Sequence, residues 1–198
     1  MRIARRSIEI IFAIILLAVF FIPSLFICLI IFLQTKQTPV FVQKRGLTLN
    51  NNWFNIYKFR TMKNSNSDIF PFGNILRKTG LDEIPQLINI IKGEMKFVGP
   101  RPLNQKDLLE IKNHYSEFYL QREKINLKPG ITGWWQINKS NKNGIKHLIE
   151  ADKYYLNNRS LLLDLKILYK TFCLTITGGN KGNVLIPIYR YDLSIFNP

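Results

Sequence analysis

A run of 24 uncharged residues, Ile10 to Leu33, limits the folds that are open to this chain. At 1.5 Å per residue, a helix of that length reaches across the hydrocarbon core of a bilayer. The run is too long for the core of a signal peptide, and Gln34, Thr35 and Lys36 follow it rather than the small residues of a cleavage site. The sequence therefore predicts a segment that stays attached and enters a membrane.

The flanks and the middle of this run bear on how it enters the membrane. Basic residues lie on both sides, so the positive-inside rule gives no preferred orientation; they are Arg2, Arg5 and Arg6 before the run and Lys36, Lys44 and Arg45 after it. Pro23 has no N–H for the helix ladder, so we expect a kink or break there, with Ser24 able to satisfy a freed carbonyl. Both features fit a hairpin that enters and leaves on one face, although a proline-kinked span remains open.

Length, charge and cysteine content bound the class of protein. The 198 residues are enough for one domain, and the net charge of +15 predicts an anionic partner: nucleic acid, acidic lipid headgroups or a phosphorylated substrate. Cys28 and Cys173 have no metal-ligand spacing, and a disulfide framework is not expected. His114 and His147 lie far apart in polar contexts, so we assign both to the surface.

Two adjacent carboxylates, Asp82 and Glu83, stand at the start of a helical pattern. Apolar residues recur there at spacings of three and four, at Leu81, Ile84, Leu87, Ile88 and Ile91. Pro85 fits the first turn of a helix, where its missing N–H is harmless. The pair is therefore expected at the positive end of a helix. Ordinary capping residues and the carboxylates of an active site are both consistent with this pattern.

Arg101 lies between Pro100 and Pro102, which fix the backbone on each side of it. We expect such an arginine to be displayed rather than packed, and its planar fork suits a phosphate or a diphosphate. A rigid turn with a solvated arginine is the alternative. Arg77, five residues before Asp82, is a second candidate for binding phosphate.

The rest of the chain predicts a small mixed fold. Pro39 to Lys44 and Trp53 to Phe59 form a predicted β-hairpin, whose second strand directs Lys58 towards the site or solvent when Phe59 faces the core. Residues 104–124 predict one or two surface helices. Residues 152–176 predict one amphipathic helix, which either lies along the bilayer surface or packs in the core. Lys128 to Gln136 predicts a glycine-rich turn that places Trp134 and Trp135 at the edge of the site or in a packing corner.

Three motifs in this sequence resemble the bacterial sugar transferase family, the monotopic polyprenyl-phosphate phosphoglycosyl transferases. They are LRKTGLDEIPQLINIIKGEMKFVGPRP at residues 76–102, YKFRTM at residues 57–62 and PGITGW at residues 129–134 with Gln136. Together they cover nearly the whole chain in the family's order, and the chain is similar to the minimal, single-domain members. Two departures, Gly80 in place of a common Ser and Trp135 in place of a frequent small residue, leave the sugar preference open.

The resemblance implies an activity and a set of site residues. Such enzymes transfer a sugar 1-phosphate from a UDP-sugar to undecaprenyl phosphate and release UMP, in surface polysaccharide, O-antigen, capsule or glycoprotein glycan assembly. It implies that Asp82 is a nucleophile that forms a covalent aspartyl-phosphosugar, and that the helix N-terminus helps to keep it ionised. Glu83 then acts as a base or, with Asp82, holds Mg²⁺. Substrate binding falls to Lys58, Arg77, Pro100, Arg101 and Pro102.

The resemblance also implies an architecture and a location. The expected fold is α+β and helix-rich, with a membrane-inserted re-entrant hairpin at residues 1–36 and a cytoplasmic catalytic domain at residues 37–198 that carries a β-hairpin and amphipathic interfacial helices. The expected location is the cytoplasmic face of the bacterial inner membrane, with membrane lipids and not nucleic acid as partners; a homodimer is left open. The alternative is a membrane-tethered basic binding or scaffold protein without catalysis.

Overall fold

The computed structural model describes residues 2–50, 53–63, 68–124, 127–138 and 144–177. The sequence also predicts a polar loop at residues 64–67, a helix end at Gly178 and Gly179 and a strand-like tail at residues 181–198, and all three lie outside the described residues.

Two helices meet at a bend in the apolar run. Helix α1 covers Arg2–Val19 and helix α2 covers Phe21–Thr35. No single helix in the described part of the chain is long and apolar enough to cross a membrane, whereas Ala4–Val19 and Phe21–Thr35, bent by 58°, meet the length and composition for a span together. The predicted break is present, but it lies at Phe20 rather than at Pro23. Pro23 falls in the first turn of α2, where a proline is tolerated.

The predicted β-hairpin comes after α2 in the chain. Strand β1 (Val40–Arg45) pairs antiparallel with strand β2 (Phe54–Phe59), with Val40 opposite Phe59 and Arg45 opposite Phe54. Ile56 and Phe59 of β2 are buried. The alternation of β2 places Lys58 on the face opposite Phe59, as the sequence predicts, and on the same face as Ile56.

The helix predicted after Gly80 is divided into two short pieces. Helix α3 (Pro71–Thr79) ends at Gly80, which adopts a left-handed conformation with φ 71°. A 3₁₀ helix then covers Leu81–Gln86, and helix α4 covers Leu87–Ile91. The prediction of one continuous α-helix was wrong, because Pro85 has no N–H with which to form an α-helical bond to Leu81.

The part of the chain described after α4 contains a second small sheet and five helices. Strands β3 (Lys96–Val98) and β4 (Gly130–Thr132) pair in parallel, and the sequence patterns did not predict either one. The helices are α5 (Gln105–His114), α6 (Ser116–Glu123), α7 (Trp134–Ile137), α8 (Gly144–Asn158) and α9 (Leu161–Ile176). The prediction of a single helix at residues 152–176 was wrong, since α8 ends at Asn158 and α9 begins at Leu161. Ser160 caps the start of α9, where its Oγ accepts a hydrogen bond from the Leu163 N–H at 3.2 Å.

Apolar cores join the N-terminal helices to the rest of the chain. Ala13 of α1 packs with Ile56 of β2 and with α4, while Ile27 and Ile31 of α2 pack with Phe59 and α3. A third core joins β3, α7, α8 and α9. A fourth core joins α5, α6 and α8. The fold is helix-rich α+β, as the sequence predicts, and residues 1–36 share cores with residues 37–198.

Candidate active site

The carboxylate pair lies beneath the β-hairpin. Lys58 extends from β2 and its Nζ lies 2.8 Å from Oε1 of Glu83, with the two side chains 31% and 21% exposed. Apart from its own backbone N–H, no described group donates a hydrogen bond to the carboxylate of the adjacent Asp82. The two acids are thus unequal: Glu83 forms an ion pair with Lys58, and Asp82 forms none with a described residue.

Burial dominates the electrostatics of Asp82. Desolvation and the neighbouring charge of Glu83 raise the pKa of Asp82 to about 6, although Lys58 and Arg77 act in the opposite direction. The backbone N–H of Asp82 lowers its pKa, in the direction expected at a helix start, but burial and the charge of Glu83 outweigh this contribution.

Arg77 lies on the exposed side of the site. Its Nε donates to Oγ1 of Thr61 at 2.9 Å, and its Nη2 approaches the sulfur of Met62 at 3.0 Å. Its charge acts on Asp82, which fits the predicted position beside the carboxylates. Arg60 is directed away from them, since it bonds the carbonyl and hydroxyl oxygens of Thr38 at 2.8 and 3.0 Å.

Arg101 is half-buried, not displayed. Its guanidinium carbon lies 4.0 Å from the ring centroid of Trp135. In the described part of the chain its guanidinium donates no hydrogen bond and joins no ion pair. Burial lowers the pKa of Arg101, while the charge of Glu83 raises it. The prediction that Arg101 is displayed to solvent was therefore wrong. Within the described residues, however, its guanidinium N–H groups have no hydrogen-bond acceptor.

The Arg101 loop is held by its main chain. Gly99 donates to the Thr132 carbonyl and Gly130 donates to the Pro100 carbonyl, both at 3.1 Å. A Cβ on Gly130 would lie 2.1 Å from the Gly99 nitrogen, so only glycine permits this approach. Pro100 and Pro102 are buried, and a substrate contact for either one stays a prediction.

A buried ion pair stands behind this loop and was missed in the sequence. The side chain of Arg122 is 0% exposed and pairs with Asp152, which is 1% exposed. Arg122 also donates to the carbonyls of Leu47, at 2.6 Å, and of Arg101. No local signal in the sequence marks Arg122, because it is one charged residue among many in α6.

Both tryptophans belong to one core but have different neighbours. Trp134 stacks on Tyr154, with ring centroids 4.4 Å apart, which matches the packing corner rather than the site edge. Trp135 lies 4.0 Å, at its ring centroid, from the guanidinium carbon of Arg101, and its place at the edge of the substrate site stays a prediction.

Few side chains in the described site could bind a metal ion. Within the described ranges, no group of three or more His, Cys, Asp or Glu residues has a metal-binding arrangement. Mg²⁺ usually takes one or two carboxylates together with substrate phosphates. Asp82 and Glu83 fit that pattern, since their mutual repulsion would be relieved by a cation and Lys58 contacts only Oε1 of Glu83.

Asp82 and Glu83 lie near three cations, Lys58, Arg77 and Arg101, and among the described residues Asp82 has no side-chain hydrogen-bond partner. This arrangement suits chemistry on an anionic phosphorylated compound. Comparison with known proteins agrees. The model of the family described as bacterial sugar transferase matches residues 1–178. The chain is 40% identical, over 149 residues, to the uncharacterized sugar transferase EpsL of Bacillus subtilis, covering 70% of this chain and 69% of that protein.

Two further relatives extend the comparison. The exopolysaccharide production protein ExoY of Sinorhizobium fredii is 33% identical over 85% of this chain and 84% of its own length. The UDP-N-acetylgalactosamine-undecaprenyl-phosphate N-acetylgalactosaminephosphotransferase of Aeromonas hydrophila is 33% identical over 88% of this chain but only 44% of its own length. The chain belongs to the bacterial sugar transferase family, and it is an enzyme of the phosphoglycosyl transferase class.

Proposed function

We propose that this enzyme transfers a sugar 1-phosphate from a UDP-sugar to undecaprenyl phosphate, releases UMP and forms a covalent aspartyl-phosphosugar on the way. The names of the relatives from Aeromonas hydrophila and Komagataeibacter xylinus, both undecaprenyl-phosphate phosphotransferases, support the two substrates. The observation that carries the covalent step is the inequality of the two acids: Lys58 engages Glu83, while the carboxylate of Asp82 has no side-chain partner among the described residues.

The proposed chemistry has two displacements at one phosphorus atom. A carboxylate oxygen of Asp82 attacks the phosphorus that carries the sugar, and the bond from that phosphorus to the bridging oxygen of the diphosphate breaks, so that UMP leaves with the electron pair. A phosphate oxygen of undecaprenyl phosphate then attacks the same phosphorus. The acyl phosphate bond breaks, the Asp82 carboxylate is regenerated and the lipid diphosphate sugar is formed.

The neighbouring side chains have distinct proposed roles. Arg101 grips the diphosphate of the donor with its unused fork, and Arg77 and Lys58 offset the phosphate charge near Asp82. Glu83 either accepts the proton of the incoming lipid phosphate or, with Asp82, holds Mg²⁺. When bound there, Mg²⁺ would neutralise charge on the phosphates.

The apolar surface supports a membrane location. Exposed apolar side chains cover α1 and α2, and a second row runs along α9 at helical spacing, formed by Leu161, Leu162, Leu165, Tyr169, Phe172 and Ile176. We propose that α1 and α2 form a re-entrant anchor on the cytoplasmic face and that α9 lies at the headgroups. Cysteine labelling of Arg2→Cys and Lys36→Cys in intact cells tests this, with permeabilised cells as the control. Labelling of either position from outside would contradict it.

Trapping the intermediate tests the chemistry. Wild-type enzyme incubated with a panel of UDP-sugars labelled in the sugar, with Mg²⁺ but without lipid acceptor, should release at most one equivalent of UMP and keep the label on the peptide that contains Asp82. Asp82→Asn should give neither UMP nor label, whereas Glu83→Gln should turn over slowly and still be labelled. Label on Glu83, or UMP release that strictly requires both substrates, would defeat the two-step mechanism. No reaction in any arm would favour a scaffold protein instead.

A further inference from the structure

Arg101 is held at two separate points, one on its side chain and one on its main chain. Its guanidinium carbon lies 4.0 Å from the centroid of the Trp135 ring, and its carbonyl accepts a hydrogen bond from Arg122. We propose that Trp135 and Arg122 are positioning residues that hold Arg101 in the orientation required by the diphosphate of the donor. This inference rests on the proposed function, in which Arg101 binds that diphosphate.

The indole ring orients the guanidinium without using its donors. All five N–H groups of an arginine lie in the plane of its fork. A carboxylate partner would occupy two of them, whereas a ring that lies against the face of the guanidinium occupies none. Arg101 has no hydrogen bond from its guanidinium within the residues described, so its N–H groups remain for a ligand. Contact with the buried ring also restricts the rotamers of Arg101 before the ligand arrives, which lowers the entropic cost of binding.

The ring itself is firmly placed. Trp135 is 9% exposed and belongs to the core that contains Val98, Leu163 and Ile167. Among aromatic side chains, tryptophan attracts a cation most strongly. The position of Arg101 is thus tied to the core of the domain and not only to its own loop.

Arg122 fixes the main chain of the same loop. Because Pro100 and Pro102 have no N–H, the loop has few hydrogen bonds of its own at this point. Arg122 supplies one by donating to the carbonyl of Arg101, and it is anchored in turn by Asp152 and by the Leu47 carbonyl. One buried guanidinium therefore connects the Arg101 loop to the segment that follows β1 and to α8.

A double-mutant cycle on donor binding tests the side-chain contact. Trp135→Leu should raise the KM for the UDP-sugar by about 5- to 30-fold, the range for a partly desolvated cation–π contact, with a smaller change in kcat. Trp135→Phe, which keeps an aromatic face, should raise it less. In an Arg101→Ala background, Trp135→Leu should have little further effect on KM. An undiminished effect of Trp135→Leu in that background would overturn the inference, because Trp135 would then act without Arg101.

A second measurement needs no substrate and so separates this inference from the proposed function. Phenylglyoxal modifies accessible arginines, and peptide mass spectrometry can follow its reaction with Arg101. Trp135→Leu should speed the modification of Arg101 several-fold. Trp134→Leu, which removes an indole of the same motif that stacks on Tyr154 instead, should leave it unchanged. Equal rates in the wild type and in Trp135→Leu would overturn the inference, whereas a wild type that releases no UMP would refute only the proposed function.

Discussion

Replacing Asp82 with asparagine should stabilise the fold while it abolishes transfer. The pKa of Asp82 is raised from 3.8 to about 6, mainly by burial and then by Glu83, so the folded protein binds a proton at Asp82 more tightly than the unfolded chain does. The ionised carboxylate is therefore a cost to folding at neutral pH. Asparagine has a similar shape and no charge, and it removes that cost.

The magnitude follows from the linkage between protonation and folding. At 1.36 kcal/mol per pKa unit, the difference between 3.8 and about 6 amounts to about 3 kcal/mol above pH 7. This is an upper bound for Asp82→Asn, because the amide is also buried. In the wild type, protonation of Asp82 stabilises the folded state fully below pH 3.8, and this stabilisation is lost as the pH rises through about 6. The gain in unfolding free energy from Asp82→Asn should therefore fall to roughly half at about pH 5.

Thermal or urea unfolding of the purified protein, at about pH 7.5 and about pH 5, measures this effect. A gain of 1 to 3 kcal/mol corresponds to roughly 2 to 12 °C for a chain of this size. Glu110→Gln is the matched control, since Glu110 is an exposed carboxylate on α5 and its replacement should change stability little. An Asp82→Asn protein that is no more stable than wild type at neutral pH, or whose advantage does not shrink in acid, would refute the account of Asp82 as a half-buried carboxylate that destabilises the fold.

Further predictions concern the same site. Initial rates of UMP release should rise with pH through about 6, because the proposed nucleophile is the ionised form of Asp82; a flat profile from about pH 5 to about pH 8 would argue against it. Lys58→Met should move that rise to higher pH, since Lys58 lowers the pKa of Asp82, and an unmoved profile would remove Lys58 from the site. Arg101→Lys should raise the donor KM by roughly tenfold or more, because an ammonium cannot present a planar fork, and an unchanged KM would exclude Arg101 from donor binding. Asp152→Ala should cost about 3 to 5 kcal/mol in urea unfolding, because it leaves Arg122 buried and uncompensated, whereas Asp152→Leu combined with Arg122→Met should recover most of that loss.

Local patterns in the sequence predicted the elements that local physics determines. The hairpin at Val40–Arg45 and Phe54–Phe59 was confirmed within a residue at each end, and the placement of Lys58 opposite Phe59 follows from strand alternation alone. The start of a helical segment after Gly80 was also confirmed. Its division into 3₁₀ and α pieces was not predicted, because the position of Pro85 was taken to be harmless.

Contacts between distant segments could not be predicted in this way. Arg101 and Trp135 lie in separate motifs, and nothing in either one specifies that the indole is placed under the guanidinium. The rise in the pKa of Asp82 could not be predicted for the same reason, since the burial that causes it depends on how the hairpin covers the 3₁₀ turn. The sequence shows that the Asp82 carboxylate lies near a helix start, which favours its ionised form. It does not show how far Asp82 is buried, because burial depends on the assembled fold.

In the structure, two basic residues before the apolar run contact the rest of the chain. Arg6 donates to the carbonyls of Ile90 and Met95, and Arg5 pairs with Asp164 near the start of α9. The beginning of α1 is thus fastened to the catalytic part of the chain.

The end of α2 is fastened to the same part of the chain. Arg60 of the hairpin bonds both the carbonyl and the hydroxyl of Thr38, three residues after α2 ends at Thr35. A straight span would place the start of α1 and the end of α2 on opposite sides of a bilayer, yet one folded domain lies on one side only. Attachment of both ends to that domain therefore bears on the proposed re-entrant anchor more directly than the count of flanking charges does.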